Sequence, residues 1–188
     1  MATRLRADYA DGVGLFTIGH STRSIEELLA MLAEHGIELL VDVRRFPGSR
    51  RHPHFAREAL AGSVRAASIE YRWVEALGGR RSRRPDSPHT AWQVPAFAGY
   101  ADHMDTPAFQ HAAGEILAEA RQRAVAVLCA EARPEQCHRR LIADHAIAQG
   151  MPVTDILAPG RSRAHQLPEF ARVEGGRIIY DLGQLSLG

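Results

Sequence analysis

The sequence predicts an α/β protein: a single three-layer domain with a mainly parallel sheet and a small C-terminal β-hairpin. Three observations carry this. Short apolar runs such as Leu39-Leu40-Val41 and Val125-Ala126-Val127-Leu128 have the character of strands buried on both faces, as in parallel sheets. Between them lie segments whose apolar residues recur three and four apart, the period of amphipathic helices. The two kinds of segment alternate along the chain, which is the order of βαβ units. With 188 residues and 45% hydrophobic content, the chain suits one domain with an ample core rather than two.

Residues 1–14 read as an N-terminal extension, and 15–188 as the domain. Leu15-Phe16-Thr17-Ile18 is the first strand, and it runs into Gly19-His20-Ser21-Thr22. Ser24-Ile25-Glu26-Glu27 fits a capping box that opens a helix, in which Ile25, Leu28, Leu29 and Leu32 form the apolar stripe before Gly36 stops it. Residues 39–43 make the second strand. A loop marked by Pro47-Gly48 and Pro53 follows, then a helix over 55–65 and a half-exposed strand over 69–73. Leu77-Gly78-Gly79 leads into an Arg-rich loop at 79–95 with no periodicity, the kind of stretch that serves as a functional lid or a disordered insertion. Helices are predicted over 96–104 and 107–123, a fourth strand over 125–129, a helix over 134–149 closed by Gly150, and a further strand over 153–156. The tail reads as irregular until Gly175-Gly176, which sits between β-prone runs as a hairpin turn does.

The net charge of +1 hides an asymmetry. Between positions 44 and 84 there are 11 arginines against three glutamates, a local +8 over an acidic remainder. Such a concentration suits a phosphate-bearing partner, a small nucleotide-like anion or a nucleic acid. All 23 basic residues are arginine, so a lysine Schiff base and a P-loop lysine are excluded. No run is long and apolar enough for a membrane span, the N-terminus lacks the apolar run of a signal peptide, and the expected location is cytoplasmic. The two cysteines without a secretory signal leave burial, metal binding or thiol chemistry rather than a disulfide scaffold.

In open parallel sheets, ligands bind beyond the carboxyl ends of the strands. Three strands deliver unusual polar residues there: His20 and Ser21 after the first, Asp42 and Arg44 at the second, Cys129 and Glu131 at the fourth. Cys129 also suits a buried strand end. Cys137 is expected in the first turns of its helix beside His138 and Arg139, where backbone N–H groups and cations favour a thiolate. Arg139 and Arg140 could hold an anion at the same helix start, and Asp42 and Arg44 could pair or orient a ligand together. The spacing C-x7-C-H is not that of structural zinc sites, so no metal is assigned, and no cofactor is identified. Arg50, Arg51, Arg80, Arg81, Arg83 and Arg84, with Phe46, Phe55, Tyr71 and Trp73 interleaved, offer an alternative nucleic-acid surface.

Taken jointly, Thr17-Ile18-Gly19-His20-Ser21, Val41-Asp42-Val43-Arg44 with Pro47 and Ser49, Tyr71 with Leu77-Gly78-Gly79, and Leu128-Cys129-Ala130-Glu131 with Pro134, Cys137-His138-Arg139 and Ile142-Ala143 resemble the domain of unknown function 488 family. The resemblance implies a compact α/β domain and no particular reaction. Its recurring positions match His20, Asp42, Arg44, Cys129, Glu131, Cys137, His138 and Arg139. The expectation is an enzyme or ligand-binding protein with a thiol-containing pocket for a phosphorylated or nucleotide-like ligand. In it Cys129 or Cys137 would be nucleophile or redox thiol, and His20, Asp42 and Glu131 would handle protons. Ser21, Arg44, His138 and Arg139 would bind the ligand. The competing readings are a nucleic-acid-binding module and a thiol redox or metal sensor.

Overall fold

The computed structural model describes residues 13–48 and 51–181. Its elements in chain order are β1 (Gly14–Gly19), α1 (Ile25–Glu34), β2 (Leu39–Asp42), α2 (Arg57–Ala66), β3 (Glu70–Trp73), α3 (Pro95–Met104), α4 (Pro107–Ala120), β4 (Ala124–Cys129), α5 (Arg139–Ala148), β5 (Val153–Ala158), β6 (Arg161–Ala164), β7 (Ala171–Glu174) and β8 (Arg177–Tyr180). The sheet runs β3-β2-β4-β1-β5-β6, parallel except for the antiparallel pairing of β6 with β5, and β7-β8 form a separate hairpin. β2, β4 and β1 are thus neighbours, so the three polar strand ends share one edge.

The alternation of side chains along β4 splits the core in two. Val125, Val127 and Cys129 face the layer of α3, α4 and α5, with Tyr100, Phe109, Ile116 and Leu141. Ala124, Ala126 and Leu128 face α1 and α2, with Leu28, Leu32, Leu60 and Val64. Six buried positions in succession make β4 apolar on both faces. Local rules hold at several ends: Ser24 accepts a hydrogen bond from the Glu27 N–H, and Gly36 and Gly150 take the left-handed conformation just past their helices. Gly175 and Gly176 both have positive φ, as the two-residue turn of a hairpin requires.

Two expectations need correction. The segment expected to be one helix over 134–149 is a 3₁₀ turn at Pro134–Gln136, an extended Cys137 (φ −134, ψ 142), and then α5 from Arg139. Cys137 therefore precedes the helix instead of lying in its first turns. β6 replaces part of the tail read as irregular. Its sequence Arg161-Ser162-Arg163-Ala164 is exposed throughout, so no apolar alternation marks this edge strand.

The Arg-rich loop is fastened to the scaffold. A Cβ on Gly99 of α3 would lie 2.4 Å from the Arg81 carbonyl oxygen, which shows how closely the loop crosses that helix. The Arg84 N–H donates to Asp102 (2.8 Å), and the Arg81 guanidinium donates to the Gly78 carbonyl (3.0 Å).

Candidate functional site

Two adjoining cavities, of about 250 and 320 Å³, open at the carboxyl ends of β1, β2 and β4 and share Arg44, Phe46, Ala130 and Glu131 as walls. The predicted residues gather here, but the sheet sorts them into two groups by the face each occupies.

On the α1–α2 face, Asp42 is fully buried and fully used. Its carboxylate accepts from Arg44 Nη2 (2.6 Å), Arg44 Nε (2.9 Å) and the Tyr71 hydroxyl (2.7 Å). Arg44 in turn donates through Nη1 to the Phe55 carbonyl (2.7 Å). Breaking such a buried pair leaves an uncompensated charge, a loss on the order of 3–5 kcal/mol, so the pair holds the loop after β2 in place. Burial, then the Asp42 carboxylate, raises the Tyr71 pKa above the ordinary phenol value, which keeps the hydroxyl a donor. His20 stacks on Phe55 with ring centroids 4.3 Å apart, and its Nδ1–H donates to the Ser21 carbonyl (2.9 Å). Its Nε2 lone pair faces Arg44 Nη1 at 3.4 Å. Burial, helped by the Arg44 charge, pushes its pKa down to about 4, so the imidazole is neutral at pH 7. Asp42 thus fixes Arg44, and His20, a neutral imidazole set against Arg44, lines the larger of the two cavities. Glu131 differs: it is exposed, lines both cavities, and is the only carboxylate on their described walls.

On the α3–α5 face, Cys129, Cys137 and His138 come together. Their sulfurs and ring nitrogen all lie within 4.8 Å of one another, with His138 Nδ1 3.8 Å from the Cys129 sulfur and 3.9 Å from the Cys137 sulfur. His138 Nε2–H donates to the Val43 carbonyl (3.1 Å), which leaves Nδ1 facing the sulfurs. Gly79 makes room for the ring, since a Cβ there would fall 2.7 Å from Nδ1. The thiols differ electrostatically. The hydrogen bond with Cys137, together with burial, pushes the Cys129 pKa well up. Burial alone would raise the Cys137 pKa as well, but the hydrogen bond with Cys129 and the nearness of His138 and Arg139 bring it well below the ordinary thiol value. Such a cluster can carry one thiolate, close to a disulfide, or ligate a metal ion.

A family model described as domain of unknown function DUF488 matches residues 24–146. The chain belongs to this family. The DUF488 match runs from the N-cap of α1 into α5, and so includes Asp42, Arg44, Glu131 and the whole Cys129, Cys137, His138 cluster; His20 lies just outside it. No curated protein and no solved structure matches the chain.

Within this DUF488 chain the arginines divide between scaffold and cleft. Arg139 is fully buried and donates to the carbonyls of Glu131 and Ala132, so it staples the loop after β4 and lines neither cavity. Arg81 and Arg84 hold the 80–94 loop as described. Arg51 and Arg83 are exposed, and Arg50 lies outside the described residues. Arg45 and Arg80 line the smaller cavity, and both lie against the ring of Phe46, at 5.8 and 5.6 Å from its centroid. Phe46 is 65% exposed, and among the described residues neither arginine has an acidic partner. Ser21 and Arg80, both on the cavity walls, are two of three described non-glycine residues with positive φ, a conformation that clusters at functional sites.

Arg45 enters the sequence reading only within the basic run after position 44, and Gly79 only within the Leu77-Gly78-Gly79 motif; neither is assigned to the pocket there, although both were legible. The diglycine before an arginine run signals close backbone approach. Here it serves the Arg45 backbone at Gly78 and the His138 ring at Gly79.

Proposed function

We propose that the cleft binds a phosphorylated, nucleotide-like ligand and presents it to the two sulfurs and ring nitrogen of Cys129, Cys137 and His138. One observation carries this reading: an exposed aromatic ring flanked by two guanidinium groups that have no acidic partner among the described residues stands at the mouth of a cavity floored by those three groups. Arg45 and Arg80 supply charge and hydrogen bonds for phosphate oxygens, and the Phe46 ring offers a face on which a base can stack. Arg44, its charge balanced by Asp42, forms a fixed wall shared by the two cavities. Glu131 is the group placed to take or give a proton.

Calorimetry with adenosine monophosphate and with inorganic phosphate tests the assignment. Replacing Arg45 and Arg80 together by Gln should weaken both ligands tenfold or more. Phe46→Ala should weaken only the nucleotide, by about tenfold, since stacking contributes about 1–3 kcal/mol per base. The reading is overturned if neither ligand binds, or if both bind the double variant unchanged. A preference for single-stranded oligonucleotides with steep loss of affinity in salt would instead favour the nucleic-acid alternative.

A further inference from the structure

We infer that Cys129, Cys137 and His138 form a binding site for one thiophilic divalent ion of the zinc class, held by three protein ligands with its fourth position open to the cleft. The inference rests on the reading of this cleft as the functional site and specifies what its floor holds.

Geometry is the first support. A tetrahedral ion with sulfur at about 2.3 Å and imidazole nitrogen at about 2.0–2.1 Å sets those donors about 3.5 Å apart. The nitrogen–sulfur separations here are 3.8 and 3.9 Å and all three donors lie within 4.8 Å of one another, so side-chain shifts of no more than about 1 Å complete the site. The ring orientation is the second. Imidazoles that ligate metals almost always donate their other N–H to a carbonyl or carboxylate, which fixes the tautomer. His138 does this through Nε2 to the Val43 carbonyl, with Nδ1 left facing both sulfurs. The absence of a side chain at Gly79 keeps that position clear.

Charge is the third. Two thiolates and a neutral imidazole neutralise a divalent ion, and the arginines at the mouth favour both thiolates and an anionic fourth ligand. Among the described residues no further Cys, His, Asp or Glu side chain joins the group, which gives the layout of a reactive site rather than a closed structural one. The spacing C-x7-C-H hides this. Structural zinc knuckles place paired ligands a few residues apart in one turn, whereas here one ligand ends β4 and the other two precede α5, with the loop between them setting the distance.

The test uses the full chain, reduced, stripped with a chelator and titrated anaerobically with cobalt(II). One equivalent should bind, with the intense visible absorption of a four-coordinate ion and thiolate-to-cobalt charge transfer, and zinc should displace it. Cys129→Ser, Cys137→Ser and His138→Gln should each weaken binding at least about tenfold. Adding adenosine monophosphate should change the cobalt spectrum, and Arg45→Gln with Arg80→Gln should remove that change while weakening cobalt binding less than the loss of any one of the three ligands does. Absence of stoichiometric binding by the wild-type chain, a six-coordinate spectrum, or binding indifferent to the cysteine variants overturns the metal site, whether or not any variant folds. Nucleotide binding by the metal-free chain with no cobalt binding would sink the metal site and leave the ligand reading standing. Cobalt binding without nucleotide binding would do the reverse.

Discussion

Two buried clusters in this protein are each built around one histidine, and they differ in how completely their polar atoms are used. Behind the central strands, His165 donates to Asp155 (2.9 Å) and Asp144 (2.8 Å). The remaining carboxylate oxygens accept from Thr17 (2.6 Å) and Tyr180 (2.7 Å). Every lone pair that matters is engaged, and the network ties β1, β5, β8 and α5 together. At the strand ends, His138 spends one nitrogen on Val43 and turns the other toward two sulfurs beside a cavity. A saturated buried network serves the scaffold, and an open one beside a cavity invites a ligand.

The largest expected effect breaks the saturated cluster. His165→Ala strands two buried carboxylates without their cation, and should cost about 3–5 kcal/mol in urea denaturation. Cys137→Ala removes one sulfur from a cluster that opens on a cavity and strands no buried charge, and should cost only about 1 kcal/mol. Equal losses would erase the distinction between the clusters.

Next in size is a pH effect confined to the same network. Burial alone would lower the His165 pKa, but its hydrogen bonds to Asp144 and Asp155 raise it to about 9. Two further groups face this network: the Tyr180 hydroxyl bonds Asp144, and the Arg163 guanidinium lies 3.7 Å from Asp155. A folded-state pKa above the unfolded value means that the stabilisation is complete below about pH 6.5 and is lost as pH rises through about 9. At about 1.4 kcal/mol per unit, roughly 3 kcal/mol should disappear between pH 6.5 and 10. Denaturation midpoints measured across that range should fall for the wild-type chain and stay nearly flat for His165→Gln. A parallel fall in both would assign the loss to other groups.

The open cluster was harder to read from the sequence than the sheet that carries it. The strands around it are legible because β2 and β4 are apolar on both faces and end in polar residues, which places Asp42, Cys129 and Glu131 on one edge. What periodicity cannot express is partnership across strands. Asp42 is taken up by Arg44 and by Tyr71, the latter from the adjacent strand β3, while Arg44 needs a carbonyl from Phe55. The extended backbone at Cys137 is equally hidden, because Pro134 suits a helix start and nothing local tells a 3₁₀ turn from the first turn of a longer helix. That single break turns Cys137 and His138 toward Cys129.

The smallest effect on stability should come with a large effect on the open cluster. Gly79 does not have positive φ, so Gly79→Ala suffers no backbone strain and reduces the freedom of the unfolded chain, a gain of about 0.4–1 kcal/mol. Against this, the new methyl would sit 2.7 Å from His138 Nδ1, so the ring must move. That weakens the bond to Val43, a loss of about 1 kcal/mol. The two terms nearly cancel, and Tm should shift little. The thiols, however, lose their shared nitrogen, and the alkylation rate of the reduced, metal-free chain with iodoacetamide should change several-fold. A matching methyl on an uncrowded helix glycine, Gly114→Ala, should leave that rate alone, because a Cβ there meets nothing within 4 Å. If Gly79→Ala leaves it alone as well, His138 does not govern the thiols, and the contrast between the two histidine clusters fails at its open end.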